Sequence, residues 1–549
     1  MMRILVWLLP LAIVVAGCGR SPAPTSTALD SSSPEFAALM QEGERAEGDW
    51  VIANLPAEMS SLNPFTSSDA YSTLVLNEVF DSLLKLHPET MEFLPELATD
   101  WEISEDHLTY RFTLRPDAVF HDGVPVTAAD VKFSFDTAMD PTVDAPHLRN
   151  YLQDIESVEL VDDSTVEFTM TKPYFRHLLV LGLIDIIPAH IYGEGNFNQH
   201  PNNRRPIGSG PYKFSSWETG QQLELIRNED YWGERPALER RIYRIITNPD
   251  AALQVLQQGN MDYMPLLPEQ WQRRASNPQF EAQFHKLKYA RASYSYIGWN
   301  MRRPQFEDKR VRQALTMLLD RESIREEIYY GLATVTSGSF FVEEPEYNPN
   351  IQPWPYDPER ARELLAEAGW TDSTGNGRLD KDGVEFEFEL MITNDNPMGE
   401  QIATLFQESL QTVGIRMRIR QLEWQAFLQD VKSHNYDSSM LGWSLAPYPD
   451  PYQLWHSSQA VVNGSNSVGF IHEEADQIIE AGRLEFDQEK RIAMYHRFHE
   501  ILHEEQPYTF MFSPMALAAV DKRFRGIKTY PFGLQLSEWW VPADLHRYP

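Results

Sequence analysis

The sequence is short of features that would point to several common classes of protein. Its 549 residues include one cysteine, Cys18, so no intramolecular disulfide can form. Positive charge is scarce, because 47 Lys and Arg residues face 80 Asp and Glu residues and leave a formal net charge of −33. Nucleic-acid binding needs a basic face, so this charge argues against it. Beyond the amino terminus, no stretch is long and apolar enough to cross a bilayer.

The usual signatures of catalysis are missing as well. No Gly-x-Ser-x-Gly elbow occurs, and no cysteine follows position 18. Gly208 and Gly210, in the stretch 206–212, could suggest a phosphate cradle, but no Gly-Lys-Ser/Thr follows them. A tight backbone crossing between lobes is the preferred interpretation. We therefore expect no enzyme activity and no cofactor.

The amino terminus predicts export and a lipid anchor. Arg3 precedes an apolar run from Ile4 to Val15, which is too short to span a bilayer and is typical of a signal peptide. The run ends in Val-Ala-Gly-Cys, residues 15–18, which resembles a bacterial lipobox. The alternative is an accidental cysteine in an ordinary signal peptide. Small and polar residues dominate 20–48 and predict a flexible tether.

The remaining chain reads as an α/β protein of two or three lobes. Tyr110, Phe112 and Leu114 alternate with polar residues, as in a half-buried strand. A hairpin is predicted around residues 162–164. Asp308 and Asp357 are placed to begin helices, and a helix before Gly414 is followed by an alternating strand.

Residues 439–456 form the stretch around which we organise the functional prediction. They include two Trp, two Tyr and three Pro, with one carboxylate, Asp450. The prolines exclude a regular helix or a central strand over the whole stretch. Stiff aromatic loops lose little entropy when a ligand binds. The alternative is an aromatic corner packed under the core.

Two motifs could bind metal ions. His499, Glu500 and His503 form an HExxH pattern, as in zinc peptidases, but no third ligand stands at the expected spacing. Residues 372–383 match much of a calcium loop. Its matching positions are Asp372, Thr374, Asn376, Gly377 and Asp380, but the twelfth position is Gly383 instead of an acid. A solvated helix and a structural turn are the preferred interpretations, so we predict no metal site.

Several stretches in chain order resemble family 5 extracellular solute-binding proteins, the peptide, dipeptide and nickel class of ATP-driven importers. Together they cover about residues 50–549. The stretches are 97–101, 110–116, Phe120-His121-Asp122-Gly123, 127–131, 206–212, Asp308 to Leu315, and Gln506-Pro507-Tyr508.

The resemblance implies an α/β, type II periplasmic-binding fold with two lobes, a hinge and an extra domain. It implies ligand binding between the lobes, ABC permease and ATPase subunits as partners, and a monomer anchored to the cell envelope, facing the periplasm or the exterior. The expected segments are a signal peptide (1–18), a tether (19–48), lobe I (49–91, 204–292 and 516–549), extra lobe II (92–203) and lobe III (293–515).

The resemblance also suggests a binding site. Peptide-binding relatives place an Asp shortly after Gly-Trp to take the ligand's amine; here Gly442-Trp443 is present, but the matching position is Ala446. Asp450, four residues further on, is the candidate replacement. We hypothesise that Trp443, Ser444 and Asp450 form one wall of the site. Four residues would contribute from other elements: Tyr71, Tyr212, Tyr296 and Asn300.

Peptides, most specifically oligopeptides, are the predicted solute. Two alternatives stay open at this point. One is a receptor for a non-peptide solute, such as an oligosaccharide or a metal chelate. The other is a secreted zinc metallopeptidase that uses residues 499–503.

Overall fold

The computed structural model describes residues 31, 33–67, 69–394, 396–462 and 464–548. The predicted signal peptide and the lipidation site Cys18 lie outside these residues. Within the described ranges, no helix has the length and apolarity needed to cross a membrane.

The strands of the described chain belong to three large sheets and several two-stranded pairs. Their bounds are β1 Trp50–Leu55, β2 Leu84–Leu86, β3 Phe93–Pro95, β4 Ala98–Ile103, β5 Thr109–Leu114, β6 Ile155–Asp162, β7 Thr165–Met170, β8 Tyr212–Glu218, β9 Gln222–Arg227, β10 Arg240–Ile245, β11 Tyr263–Pro265, β12 Phe284–Ala290, β13 Ser293–Trp299, β14 Ala333–Val335, β15 Asp380–Lys381, β16 Val384–Glu385, β17 Glu387–Thr393, β18 Arg416–Leu422, β19 Ser438–Ser444, β20 Tyr508–Phe510, β21 Phe512–Asp521, β22 Thr529–Tyr530 and β23 Gly533–Leu534.

Helices cover the sheets and connect their strands. Their bounds are α1 Pro34–Leu39, α2 Ala70–Val79, α3 Ala128–Met139, α4 Pro146–Leu152, α5 His177–Gly182, α6 Ala189–Tyr192, α7 Pro249–Gln257, α8 Pro278–Gln283, α9 Lys309–Met317, α10 Arg321–Glu327, α11 Pro358–Glu367, α12 Pro397–Gln411, α13 Trp424–Lys432, α14 Tyr452–Trp455, α15 Glu473–Leu484 and α16 Gln488–Glu505.

Each large sheet draws on a different part of the chain. The first has the order β12-β21-β11-β1-β10-β9-β8, with β14 paired to β21; the second is β18-β17-β19-β13-β20; the third is β4-β5-β7-β6. The third sheet lies within the segment predicted as extra lobe II, and the second lies within the predicted lobe III. Strand β21 crosses the predicted boundary at residue 515, and the lobe boundaries themselves stay a prediction.

Local sequence patterns formed the expected elements at most positions. In β5, Tyr110, Phe112 and Leu114 are buried and alternate with more exposed neighbours. The carboxylates of Asp308 and Asp357 accept hydrogen bonds from backbone N–H groups at the starts of α9 and α11. Helix α2 begins after Asp69, whose carboxylate caps its start, and ends before Phe80, where the chain is extended.

The glycines of the 206–212 stretch allow a close backbone crossing, as predicted. The Gly210 N–H donates to the Val79 carbonyl oxygen over 2.9 Å. A Cβ at Gly210 would lie 2.7 Å from the Glu78 carbonyl oxygen, and one at Gly208 would overlap that of Val79. His121 holds the crossing from the other side, with its Nε2 3.0 Å from the Gly210 oxygen. Only glycine fits this approach.

The tether prediction is wrong for the described residues before Asp49. Pro34–Leu39 form α1, and Phe36 and Met40 are 2% and 4% exposed. Both pack into a core cluster with Val51 and Trp539 of the first sheet and its carboxyl-terminal return. Two large apolar residues within five positions are enough to dock a short helix. The mostly polar composition of 20–48 gave no indication of this docking.

Candidate functional site

Strand β19 leaves part of its backbone unpaired. Strand β13 pairs with it along its whole length, from Trp299 opposite Ser438 to Ser293 opposite Ser444. Strand β17, on the other side, pairs with it only at residues 438 and 439, while β17 stays paired with β18 along its whole length. Within the described chain, residues 440–444 therefore keep one free edge. Gly442 and Ser444 on this edge are exposed.

The gap between β17 and β19 holds a cavity of about 410 Å³, which we call the strand-gap cavity. It lies where two neighbouring parallel strands diverge, a common position for ligand sites in α/β proteins. Its wall combines apolar and polar groups in similar proportion. Residues that line it include Met398, Met440, Met511, Trp424, Asn396 and Gly442.

A second cavity of about 380 Å³ lies on the other side of the aromatic stretch; we call it the interlobe cavity. One wall comes from residues 443–455 and the other from the third sheet's segment. Residues that line it include Tyr151, Tyr174, Arg176, Trp443, Ser444 and Asp450. The two cavities flank β19 and its extension.

Trp443 stands on a rigid aromatic base. Its ring is parallel to that of Tyr296, with centroids 6.4 Å apart. Tyr296 in turn stacks on Tyr508 at 3.8 Å. Both tyrosines are buried, so the indole is held from behind and one side of it lines the interlobe cavity. A preordered aromatic surface of this kind suits ligand contact.

Asp450 lines the same cavity, but its carboxylate is already paired. The Tyr174 hydroxyl donates to Oδ2 over 2.6 Å, and the Tyr452 N–H donates to Oδ1 over 3.0 Å. The Arg483 guanidinium lies 3.2 Å from Oδ2, and 6% of the Asp450 side chain is exposed. Burial and the adjacent Asp450 charge raise the pKa of Tyr174, so its hydroxyl stays protonated. In this arrangement the Asp450 charge is paired with Arg483, and each of its oxygens already accepts a hydrogen bond from the protein.

The other predicted site residues are not brought to the cavities. Tyr212 is fully buried and donates to the Leu238 carbonyl oxygen. Asn300 is 1% exposed and ties down the Tyr436 carbonyl oxygen. Tyr71 is half-buried and packs on the core next to α2. Tyr296 acts behind Trp443. None of these four residues lines either cavity. Their positions therefore do not support the predicted direct contacts with ligand.

Several lining residues were missed from the sequence. They are Tyr174, Arg176, Arg483, Trp424 and Met440. They come from parts of the chain up to about 300 residues apart, so no local spacing connects them. The Tyr-Phe-Arg run at 174–176 was the strongest available signal.

The HExxH residues are held apart by separate neighbours. His499 is fully buried. Its Nδ1 accepts from the Asn348 N–H over 3.1 Å, and its Nε2 lies 3.1 Å from the Ser337 hydroxyl. His503 stacks on Trp354 at 5.1 Å. Across the described residues, no group of three or more His, Cys, Asp or Glu side chains is placed to hold a metal ion. The geometry does not support the zinc peptidase alternative.

The calcium-like loop is closed by its own backbone. The Asp372 carboxylate accepts from the N–H groups of Asn376 and Gly377. The Asp380 carboxylate accepts from the Ser373 N–H and hydroxyl. These bonds occupy the carboxylates in local turns, in agreement with the structural interpretation.

Comparisons with known proteins agree with this architecture. The chain is 32% identical to the oligopeptide-binding protein AppA of Bacillus subtilis over 97% of each chain. The solved structure of AppA in complex with a nonapeptide has a TM-score of 0.79 and 30% identity, covering 91% of this chain and 100% of AppA. NikZ of Campylobacter jejuni, solved with Ni(L-His), has a TM-score of 0.78 and 28% identity, covering 90% of this chain and 99% of NikZ.

A family profile matches most of the chain. Residues 92–465 match "Bacterial extracellular solute-binding proteins, family 5 Middle". The solved relatives that share the fold are type II periplasmic-binding proteins, which confirms the predicted fold class. Members of this family are receptors rather than enzymes. The chain therefore belongs to the family 5 bacterial extracellular solute-binding proteins.

Proposed function

We propose that this protein captures oligopeptides between its lobes and delivers them to an ABC permease with ATPase subunits. The observation that carries the proposal is the free edge of β19 at residues 440–444, between two cavities. An extended peptide can add to such an edge through its own backbone. Backbone pairing is independent of side-chain identity, so one site can accept many sequences.

The two cavities suit the side chains of an extended peptide. Successive side chains of a strand point in opposite directions. The strand-gap cavity offers methionines, which adapt to side chains of different shapes. The interlobe cavity offers the Trp443 indole and several polar groups. A dipeptide would leave much of this space empty, and the full-length similarity to an oligopeptide-binding protein supports a longer ligand.

The proposal is tested by native mass spectrometry of residues 19–549, which omit the signal peptide and the lipidation site, purified from a bacterial host. Denaturation follows, and released compounds are identified. We expect a mixture of short peptides bound to a monomer. A single non-peptide compound, such as a sugar or a metal chelate, would overturn the peptide assignment. Cleavage products accumulating from added peptides would contradict the receptor role, since a receptor returns its ligand unchanged.

We also propose that Cys18 carries the lipid anchor that holds the receptor at the cell envelope, outside the cytoplasm. The supporting observation is the Val-Ala-Gly-Cys sequence after the apolar run. Cells grown with an alkyne-tagged fatty acid should label the wild-type protein. Cys18→Ser should abolish the label and release the protein from membranes. Labelling that persists in the variant would contradict this assignment.

A further inference from the structure

The interlobe cavity contains one positive charge that no acidic side chain of the described residues pairs with. Its ionisable lining residues are His147, Asp154, Arg176, Asp450 and Arg483. Asp154 lies 3.1 Å from the Lys172 ammonium, and Asp450 lies 3.2 Å from Arg483. Burial lowers the pKa of His147, so its ring is neutral near pH 7. These pairings leave Arg176 as the remaining charge.

Arg176 has no acidic partner among the described residues, whose ion pairs all lie elsewhere. It precedes helix α5, and its guanidinium lies 5.8 Å from the centre of the Tyr151 ring. Its Nε–H is buried and donates no hydrogen bond to the described chain. A partly buried guanidinium without a partner is costly, and a carboxylate is the group that best satisfies it.

We propose that Arg176 binds a carboxylate of the ligand and so sets which end of the peptide is fixed. This inference rests on the proposed peptide function. The carboxylate could belong to the peptide's carboxyl terminus or to an acidic side chain. The Asp450 charge is already paired with Arg483, so the proposal does not require an ion pair between Asp450 and the ligand's amine. The cavity thus selects peptides by a negative group, although the protein as a whole carries a charge of −33.

The test uses ligand-free protein and three pentapeptide mixtures whose randomised positions omit Asp and Glu. One mixture has free carboxyl termini, the second has carboxamides, and the third has carboxamides with one glutamate. Peptides captured in competition are counted by mass spectrometry. We expect the wild type to prefer the free acids at least about tenfold over the carboxamides, as for loss of a charge-assisted contact. Acetylation of the amino termini should leave capture unchanged.

Substitution separates the role of Arg176 from a general charge effect. Arg176→Gln should bring the acids and carboxamides close to parity while still capturing peptides. Arg273→Gln is the matched control, because Arg273 also lies over a tyrosine, 5.5 Å from the Tyr330 ring, and lines neither cavity. It should keep the wild-type preference.

Each outcome decides a different point. Preference for the free acids assigns the terminal carboxylate, and preference for the glutamate mixture alone assigns an acidic side chain. Equal capture of all three mixtures by the wild type would overturn the role of Arg176 and leave the peptide function intact; this result needs no variant to fold. Preference that survives Arg176→Gln would also overturn it. Failure to capture any peptide would overturn the proposed function itself.

Discussion

The Tyr174 hydroxyl donates a 2.6 Å hydrogen bond to the carboxylate of Asp450, 276 residues further along the chain. It joins the segment that carries the third sheet to the aromatic stretch beside the second. Other contacts follow the same seam. The Tyr448 hydroxyl donates to the Met91 carbonyl oxygen over 2.8 Å, and Phe486 stacks on His107 at 3.6 Å. The aromatic stretch and the segment around Phe486 are therefore held against earlier segments of the chain by several separate contacts.

Tyr174→Phe should weaken ligand binding about fivefold. A hydrogen bond to a charged group contributes about 1 kcal/mol or more net, and this one exists only when the two walls meet. Its loss lowers the population of the closed form and hence the apparent affinity. Titration calorimetry with an eluted ligand measures the change. Tyr192→Phe, which loses a 3.4 Å bond within one segment, should bind like the wild type.

Trp443→Ala should cost roughly 2 kcal/mol or more of binding free energy, since the indole is an aromatic anchor on a rigid base. The Tyr296 and Tyr508 rings behind it keep their own stacking, so thermal stability should fall less than affinity does. Calorimetry and thermal unfolding on the same sample separate the two effects. Unchanged affinity would show that Trp443 is not a wall of the site.

Gly442→Val should reduce affinity at least about tenfold. A Cβ at this position would lie 3.1 Å from the Tyr294 carbonyl oxygen of β13, so β19 would have to shift, and the two methyl groups would occupy part of the strand-gap cavity that Gly442 lines. A peptide backbone could then no longer reach the strand. Hydrogen exchange of residues 440–444 with and without ligand provides the measurement. If ligand protects these amides in neither protein, backbone pairing is the wrong mode of binding.

His499 should make stability depend on pH. Burial lowers the pKa of its folded state to about 3, whereas an unfolded histidine titrates near 6.5. Above pH 6.5 both states are neutral and its contribution is complete. As the pH falls from 6.5 towards 3, only the unfolded state takes the proton, so the unfolding free energy drops by up to about 1.4 kcal/mol per pH unit.

Urea unfolding across this range checks the slope. His499→Gln should have a flatter profile, with lower stability at pH 7. His496→Gln on the same helix should keep the wild-type slope. An identical slope in both variants would mean that other groups produce the pH dependence.

Phe36→Ala should lower the unfolding free energy by about 3 kcal/mol, the usual cost of removing a buried phenylalanine. The side chain is 2% exposed and contacts the core of the first sheet. Glu35→Ala, exposed on the same helix, should change stability by less than about 0.5 kcal/mol. Denaturant unfolding measures both. Equal stability of the two variants would restore the view of this segment as a tether.

Local sequence determined many of the elements of this protein. The alternation of apolar residues was sufficient to predict β5, and the capping residues were sufficient to predict the starts of α9 and α11. Both signals arise from residues that are close together in the sequence. The glycines of 206–212 predicted a close crossing for the same reason, because a residue without a Cβ lets another backbone segment approach it closely. Gly442-Trp443 and its aromatic surroundings were selected from the sequence as the site, and both residues line cavities in the folded chain; that this stretch binds the ligand stays a prediction.

The tertiary structure decided which polar groups remain available to a ligand. Asp450 was expected to face a ligand, but its oxygens are taken by Tyr174, Tyr452 and Arg483. Tyr212 and Asn300 had suitable chemistry but point into the core. Arg176 gave no signal by spacing, yet folding places it in the interlobe cavity without an acidic partner among the described residues. Composition names the groups that can bind, but pairing and burial depend on which distant segments meet, and only the folded chain determines that.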